Sequence, residues 1–462
     1  MKKKSFLPKQ VVLFLSQLSV VCMLFNACNG DETLATITQK NEVAVKLSQN
    51  SDSAEIIPAV VDSTLLARLR MQTRTLRSNP SIPAEELELF KSNIYQLREL
   101  PLTIRVRGTG DKTNCCFTCY GAGREVGLSP FNSSVYQQFY LRILPSSSGI
   151  PYMIYSYAAN RPISVGYYKN DPNRKVLYAH YDDKGSTFMA SWDLIPSTYR
   201  GYFAIESTDY LGTADPNNPW SVFRYYLEAV NANSLGFAKY ANKPEQEFLI
   251  QPAYDFTIDH IAFDKSSAKV TKRTPLEVVS YGKNETEEQR PFTITTAHYA
   301  TNTSMFVDKS ILKIPFNNEK VFYSPKVEAG RLVVPSPIDP DELEQPDFER
   351  GLKYTNTMHS TRVMLKFDVN GNAKPNSLIE VTSWLENYNV SVNYTVYMTY
   401  THNGTDKRTV KLNGVWYGTL YTTKRAKPDI VKFFDLDDGE ELLRIKNKGF
   451  KFNKLYYDEK LY

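Results

Sequence analysis

Cys115, Cys116 and Cys119 stand within one short run, Asn114-Cys-Cys-Phe-Thr-Cys-Tyr120, the densest group of reactive side chains in the chain. Zinc would need a second ligand pair, and thioredoxin-type redox chemistry would need a helix start beside the C-x-x-C; neither follows. In an exported chain the cluster points to one disulfide and one odd thiol. His180, His260, His298, His359 and His402 are scattered, with no H-E-x-x-H and no G-x-S-x-G frame. Gly108–Thr113 has the outline of a phosphate loop, but Asp111 precedes Lys112 and would repel phosphate. Asp368–Asn372 and Asp435–Gly439 suggest calcium loops, yet glycine falls early and no Glu closes either at position twelve. Asn370-Gly371, between apolar runs, reads as a hairpin turn. Glycosidase carboxylates have no fixed spacing, so the expectation of no enzyme, no metal and no cofactor rests on the other missing frames.

The elements that position these residues belong to a strand-rich chain. At 462 residues it exceeds one hydrophobic core, and 42% hydrophobic with 23% charged residues is ordinary for a folded protein. The 31 Tyr and 24 Phe against 4 Trp and 5 His fit half-buried pleated surfaces. The formal charge is +5, and without the leader lysines Lys2, Lys3, Lys4 and Lys9 it falls to +1. That is too little to suggest a nucleic-acid partner.

Met1–Gln10 is basic and Val11–Phe25 apolar, too short for a permanent span of about 20 residues and typical of a secretory signal. Its end, Leu24-Phe-Asn-Ala-Cys28, resembles a bacterial lipobox. The resemblance implies a signal over 1–27, diacylation at Cys28, and export to the outer membrane or cell surface. Residues 28–101 are expected to form a tether and a helical stalk. The polar stretch 29–60 is the tether. In the stalk, Leu87, Phe90, Ile94 and Leu97 make one apolar stripe between Pro83 and Pro101.

From 102 to 253 a repeat appears. Phe139-Tyr-Leu-Arg-Ile-Leu-Pro145, Trp192-Asp-Leu-Ile-Pro196 and Phe248-Leu-Ile-Gln-Pro252 close three units of similar length. Four short strands per unit resemble a β-trefoil of the ricin-B type, in which Trp192 would be packing rather than a ligand contact. That resemblance implies a binding domain, with a glycan receptor as its partner.

Beyond Ala253, strands lengthen and alternate: Tyr254–Phe263, Ile379–Trp384 and Val390–Met398 each show period two, the mark of a sheet with one wet face. Asn284-Glu-Thr-Glu-Glu-Gln289, the Ser/Thr-rich Thr293–Phe306, Pro315-Phe316, Pro375-Asn376, Asn389–Tyr394 and Gly414–Gly418 follow in order. This series is similar to the aerolysin-like β-pore-forming toxins, the epsilon-toxin branch in particular. The implied architecture is mainly β, a β-trefoil followed by an elongated antiparallel module over 254–423, with a tail at 424–462. The implied activity is a homo-oligomeric β-barrel in a target membrane, its membrane hairpin at about 297–330. Lys424–Lys427 reads first as a run of exposed basic residues; the alternative, which the family resemblance implies, is a protease site for activation. That hairpin contains Lys309, Lys313, Lys320 and Lys326, and one lysine facing lipid at mid-membrane costs about 2–4 kcal/mol. The alternative is a surface lipoprotein that binds a glycan or protein on the same scaffold without perforating.

Overall fold

A computed structural model describes residues 55–59, 93–143, 152–182, 190–213, 217–218, 221–402, 405–447 and 456–457. The leader, Cys28, most of the expected tether and the first part of the expected stalk lie outside the described residues. The chain from Ile56 onward forms one unit.

β1 (Ile56–Pro58) falls in the stretch read as tether, yet it pairs antiparallel with β7 (Arg161–Tyr168). The reason is apolar: Ile56 is buried with Val176 and Tyr178. At the end of the expected stalk Asn93–Tyr95 are helical, and Ile94 and Leu97 of the stripe are buried with Leu100 against the core that follows.

The next strands come in three sets of four. The first is β2 (Leu102–Val106), β3 (Cys115–Cys119), β4 (Val126–Pro130) and β5 (Phe139–Ile143). The second is β6 (Tyr152–Ser156), β7, β8 (Asp171–Ala179) and β9 (Trp192–Pro196). The third is β10 (Tyr202–Thr213), β11 (Val222–Ala229), β12 (Leu235–Ala238) and β13 (Phe248–Pro252). First and last strands pair antiparallel around a circuit, β2–β5–β6–β9–β10–β13 and back to β2, which leaves the ring without an edge. The middle strands fold into the hairpins β3–β4, β7–β8 and β11–β12. Each ring strand sends two side chains inward at spacing two. They are Leu102 and Ile104, Tyr152 and Ile154, Phe203 and Ile205, and, from the closing strands, Phe139 and Leu141, Trp192 and Leu194, Phe248 and Ile250. Trp192 is fully buried and its indole N–H donates to the Ile163 carbonyl at 3.1 Å, a packing role.

The disulfide expected among Cys115, Cys116 and Cys119 does not form: all three are free and buried. They lie on one extended strand, where neighbours point to opposite faces. Cys115 and Cys119 share a face but stand about 13 Å apart at 3.3 Å per residue, far beyond the 4.4–6.8 Å Cα span of a disulfide. Burial pushes all three thiols up, Cys116 to about 12.

After β13 the chain enters long strands: β14 (Phe256–Lys272), β15 (Leu276–Asn284) and β16 (Arg290–Asp308). Short pieces follow, β17 (Phe316–Asn317), β18 (Val321–Tyr323), β19 (Lys326–Glu328), β20 (Arg331–Val333) and β21 (Arg350–Lys353). Then come β22 (His359–Ala373), β23 (Ser377–His402), β24 (Asp406–Arg425), β25 (Asp429–Asp435), β26 (Glu441–Asn447) and β27 (Tyr456–Tyr457). The order is β17-β14-β23-β24-β16-β22-β27. β23 joins two of the alternating segments into one strand of 26 residues, on the order of 80 Å when extended. Its later part lies between β14 and β24, and its first part between β15 and β25. A separate core, built on Val363, Leu365, Phe367, Val369, Ile379, Val381 and Phe433, fills that second region.

Two expectations are corrected here. Asn370-Gly371 is not a turn but lies inside β22, opposite Thr293 and Phe292. The Phe292 ring covers Gly371 so closely that a Cβ there would sit 2.8 Å from it, so glycine serves a close approach within a strand. The segment 424–462 is not simply a tail. β25 extends the sheet on β23, and Val431 and Phe433 are buried. Arg425, inside the basic run Lys424–Lys427, bonds the buried Asp429 carboxylate at 3.2 Å and lies over the Phe367 ring.

Candidate functional site

β16 and β22 pair antiparallel without a break from Arg290↔Ala373 to Ser304↔His359. Cross-strand partners share a face, so the period-two pattern gives the ribbon one apolar and one polar side. On the apolar side Ile294 faces Val369, Thr296 faces Phe367, and Ala300 faces Val363, all buried. On the other side Thr293 bonds Asn370 and Thr295 bonds Asp368, each at 2.7 Å, and Arg362 lies over the Tyr299 ring. Hydroxyls, the acid Asp368 and the two bases Lys366 and Arg362 thus share the face that an aqueous lumen would wet. Each arm exceeds the 9–11 residues needed to cross a bilayer as a tilted strand.

The segment 297–330, where a membrane hairpin was expected, does not fold back on itself as a hairpin. Residues 297–308 belong to β16, whose partners are β22 and β24, while 309–330 holds only the fragments β17, β18 and β19. The two arms of the ribbon are separated by the whole excursion 309–358. A pairing made across such a distance leaves no local signal, and the lysines weighed against insertion lie in the excursion rather than in either arm.

The signature residues fall into two groups. Asn284, Pro375 and Asn376 meet at one end of the long strands. The buried Asn284 amide donates to the carbonyls of Glu288 at 2.9 Å and Lys374 at 2.7 Å, and its oxygen accepts from the Thr286 hydroxyl at 2.7 Å. Asn376, at φ 43°, donates its side chain to Asp437 at 3.0 Å, while its backbone N–H reaches the Thr286 carbonyl at 2.9 Å. Three turns are tied together by these two side chains. Pro375 is exposed in the middle turn, and Gln289 is exposed just before β16. Pro315 and Phe316 belong to the other group. The Pro315 carbonyl accepts from Phe256 N–H at 2.9 Å, and the Phe316 ring meets Tyr354 edge-on at 5.4 Å. Asn284, Pro315, Phe316 and Asn376 thus hold turns and strand ends together, while Gln289 and Pro375 stand exposed. Replacing Asn284 by Ala removes both donors, and the Glu288 and Lys374 carbonyls keep only the Thr286 and Ser377 hydroxyls, so urea unfolding should show a loss of about 1–2 kcal/mol with unchanged slope.

The root of the excursion is clamped to the three-unit ring. Arg200, in the turn between β9 and β10, donates Nε to the Leu312 carbonyl at 2.8 Å, and its guanidinium pairs with Asp308, the last residue of β16. Gly201 N–H adds a 2.7 Å bond to the Ile311 carbonyl. The Tyr354 hydroxyl donates to Asp308 at 3.2 Å and lies 3.3 Å from that of Tyr394. Burial raises the Asp308 carboxyl, with Arg200 pulling against it. Burial and Asp308 together push the Tyr354 hydroxyl up.

Sequence reasoning missed this joint, because Arg200 and Asp308 carry no local motif. It also missed a repeated glutamine that was legible. Gln137 and Gln246 each stand two residues before a closing aromatic, Phe139 or Phe248, and both are fully buried. Gln137 accepts from Asn132 N–H at 2.8 Å and donates to the Pro130 carbonyl at 2.9 Å. Gln246 accepts from Ala241 N–H at 2.7 Å and donates to the Lys239 carbonyl at 2.9 Å. The second unit has Ala190 at this position, before Trp192.

No family model matches the chain, and no curated protein matches it. Among solved structures it is similar to the lamprey immune protein at 11% identity, covering 73% of this chain and 93% of that one, with a TM-score of 0.28. It is also similar to the Mpp75Aa1.1 β-pore-forming protein of Brevibacillus laterosporus, at 9% identity over 51% and 87% of the two chains, TM-score 0.21. Parasporin-2 of Bacillus thuringiensis matches at 13% identity over 38% and 84%, TM-score 0.18. At these scores the likeness is partial, and function must be read from the chain's own geometry.

Proposed function

We propose that the protein is a surface-exported, lipid-anchored β-pore former of the aerolysin-like type, with a β-trefoil that docks on a glycan receptor. The carrying observation is the β16–β22 ribbon, with one apolar and one hydroxyl-rich face and length enough to cross lipid. A barrel in hydrocarbon must pair every backbone N–H and C=O between strands, and copies of such a ribbon, arranged in a ring, supply that pairing. The closed six-strand ring with three hairpins supports the trefoil reading, and Cys28 the lipid anchor. No step here calls for an enzyme.

In water the ribbon cannot leave on its own. Exposing Ile294, Val363, Leu365, Phe367 and Val369 would cost on the order of 10 kcal/mol, comparable with the stability of a whole domain. Insertion must therefore be coupled to burial against lipid and neighbouring copies. The same burial favours a second reading, in which the ribbon is a permanent layer of the second core and the protein binds without perforating. Vesicles of eukaryotic total lipid extract, loaded with a self-quenched dye, separate the two. Dye release together with ring-shaped particles by electron microscopy supports the pore. Binding with neither, at saturating protein, overturns it in favour of the binder.

A further inference from the structure

A pocket of about 320 Å³ opens where the three hairpins of the ring meet, and every unit contributes to it. Thr118, Tyr120, Glu125 and Ser129 come from the first unit, Arg174 from the second, Asn233 and Ser234 from the third. The third-unit turn is held in place by Leu128 N–H donating to the Asn233 carbonyl at 2.9 Å. That approach requires glycine at 127, since a Cβ there would sit 2.8 Å from the same carbonyl oxygen. The floor is polar and ordered, with Thr118 and Ser129 hydroxyls 2.6 Å apart and Gln137 donating to Ser129 at 2.9 Å. Tyr120 stands 60% exposed at the rim, its ring 5.3 Å from that of Tyr136. Glu125 accepts the Tyr168 hydroxyl, and the Arg174 guanidinium lies 4.9 Å over the Tyr168 ring.

We infer that this inter-unit pocket binds a neutral sugar ring bearing adjacent hydroxyls. The inference rests on the receptor-binding reading above and gives it a site. A carboxylate and a guanidinium in one pocket cancel in net charge, so a phosphate or an acidic sugar would meet Glu125 as well as Arg174. A hydroxyl both donates and accepts, and so satisfies the two at once, with Asn233 and Ser234 adding further partners. The exposed Tyr120 ring offers an apolar face for the C–H side of a sugar. The volume stands at the lower limit of ligand pockets, about 300–1,000 Å³, which suits one or two rings and not a peptide.

The test uses the full chain on an array of immobilised neutral and acidic oligosaccharides, alongside Tyr120→Ala and Arg174→Ala. Both positions are exposed, and unchanged melting curves confirm folding. Each variant should bind the best neutral glycan at least about tenfold more weakly than the parent, as loss of a buried hydrogen-bonded or stacking contact does. Parent binding to a glycan that both variants bind equally well overturns this site and leaves the receptor reading intact. Preference for acidic over neutral sugars overturns the ligand assignment. A parent that binds no glycan overturns the receptor reading itself and the site with it.

Discussion

The double variant Met305→Cys/Tyr417→Cys should lose dye release when oxidised and regain it on reduction. Residues 303–308 of β16 pair with 414–419 of β24, and Met305 lies directly opposite Tyr417. Opposed residues in an antiparallel pair have Cα atoms about 4.5–5.5 Å apart, within the reach of a disulfide. Tyr417 is 44% exposed and Met305 only partly buried, so the bridge would form on the outer face without disturbing Phe306 or Trp416 beneath. If the ribbon must separate from β24 to join a barrel, a covalent tie there blocks it, and the loss should be on the order of tenfold or more, because an unpaired strand cannot cross hydrocarbon. The native thiols should not interfere, since burial keeps Cys115, Cys116 and Cys119 protonated and slow to react. Equal release from the oxidised and reduced forms would show that the ribbon stays on β24, and the pore would need another source.

The second large effect is at the joint. Arg200→Met leaves Asp308 buried without its cation, and urea unfolding at pH 8 should show a loss of about 1–3 kcal/mol. That is below the 3–5 kcal/mol of a fully enclosed pair, because Arg200 keeps 36% of its side-chain surface in water. The pH dependence has a definite sign. The Asp308 carboxyl is raised in the folded state, so its contribution to stability is greatest below the unfolded value of about 3.9 and is lost as pH climbs through the folded value. Without Arg200 the carboxyl rises further. The deficit of the variant against the parent should therefore be widest at pH 8 and narrow as acid protonates Asp308. Arg200→Met/Asp308→Asn should recover most of the loss at pH 8, leaving the share due to the Leu312 carbonyl contact. A deficit independent of pH, or no recovery in the double variant, would mean that packing and not the charge pair holds the joint.

The sequence by itself determined much of the local architecture. Period-two alternation marked the long strands, since a sheet with one wet face selects side chains residue by residue. Three aromatic–aliphatic–proline closures placed the last strand of each unit, because each aromatic fills the same interior. The Gln-x-aromatic pattern at Gln137 and Gln246 was equally available, and its buried hydrogen bonds explain why it repeats.

Tertiary structure alone decided what pairs with what. β16 finds β22 across an excursion of some fifty residues, and nothing near Ser304 announces His359 as its partner. The same holds for Arg200 and Asp308, for the three hairpins that surround Tyr120 and Arg174, and for Ile56 docking on a distant strand. Asn370-Gly371 carries the local chemistry of a turn, yet the Phe292 ring above Gly371 makes it the middle of a strand. Strand pairing is set by the burial of whole faces and by long-range register, and those energies exist only once both partners are in place. Backbone reach is the one such constraint that the sequence does carry. Cysteines three and four residues apart on an extended strand cannot meet, and whether that strand is extended was settled by β2 and β4 on its two sides.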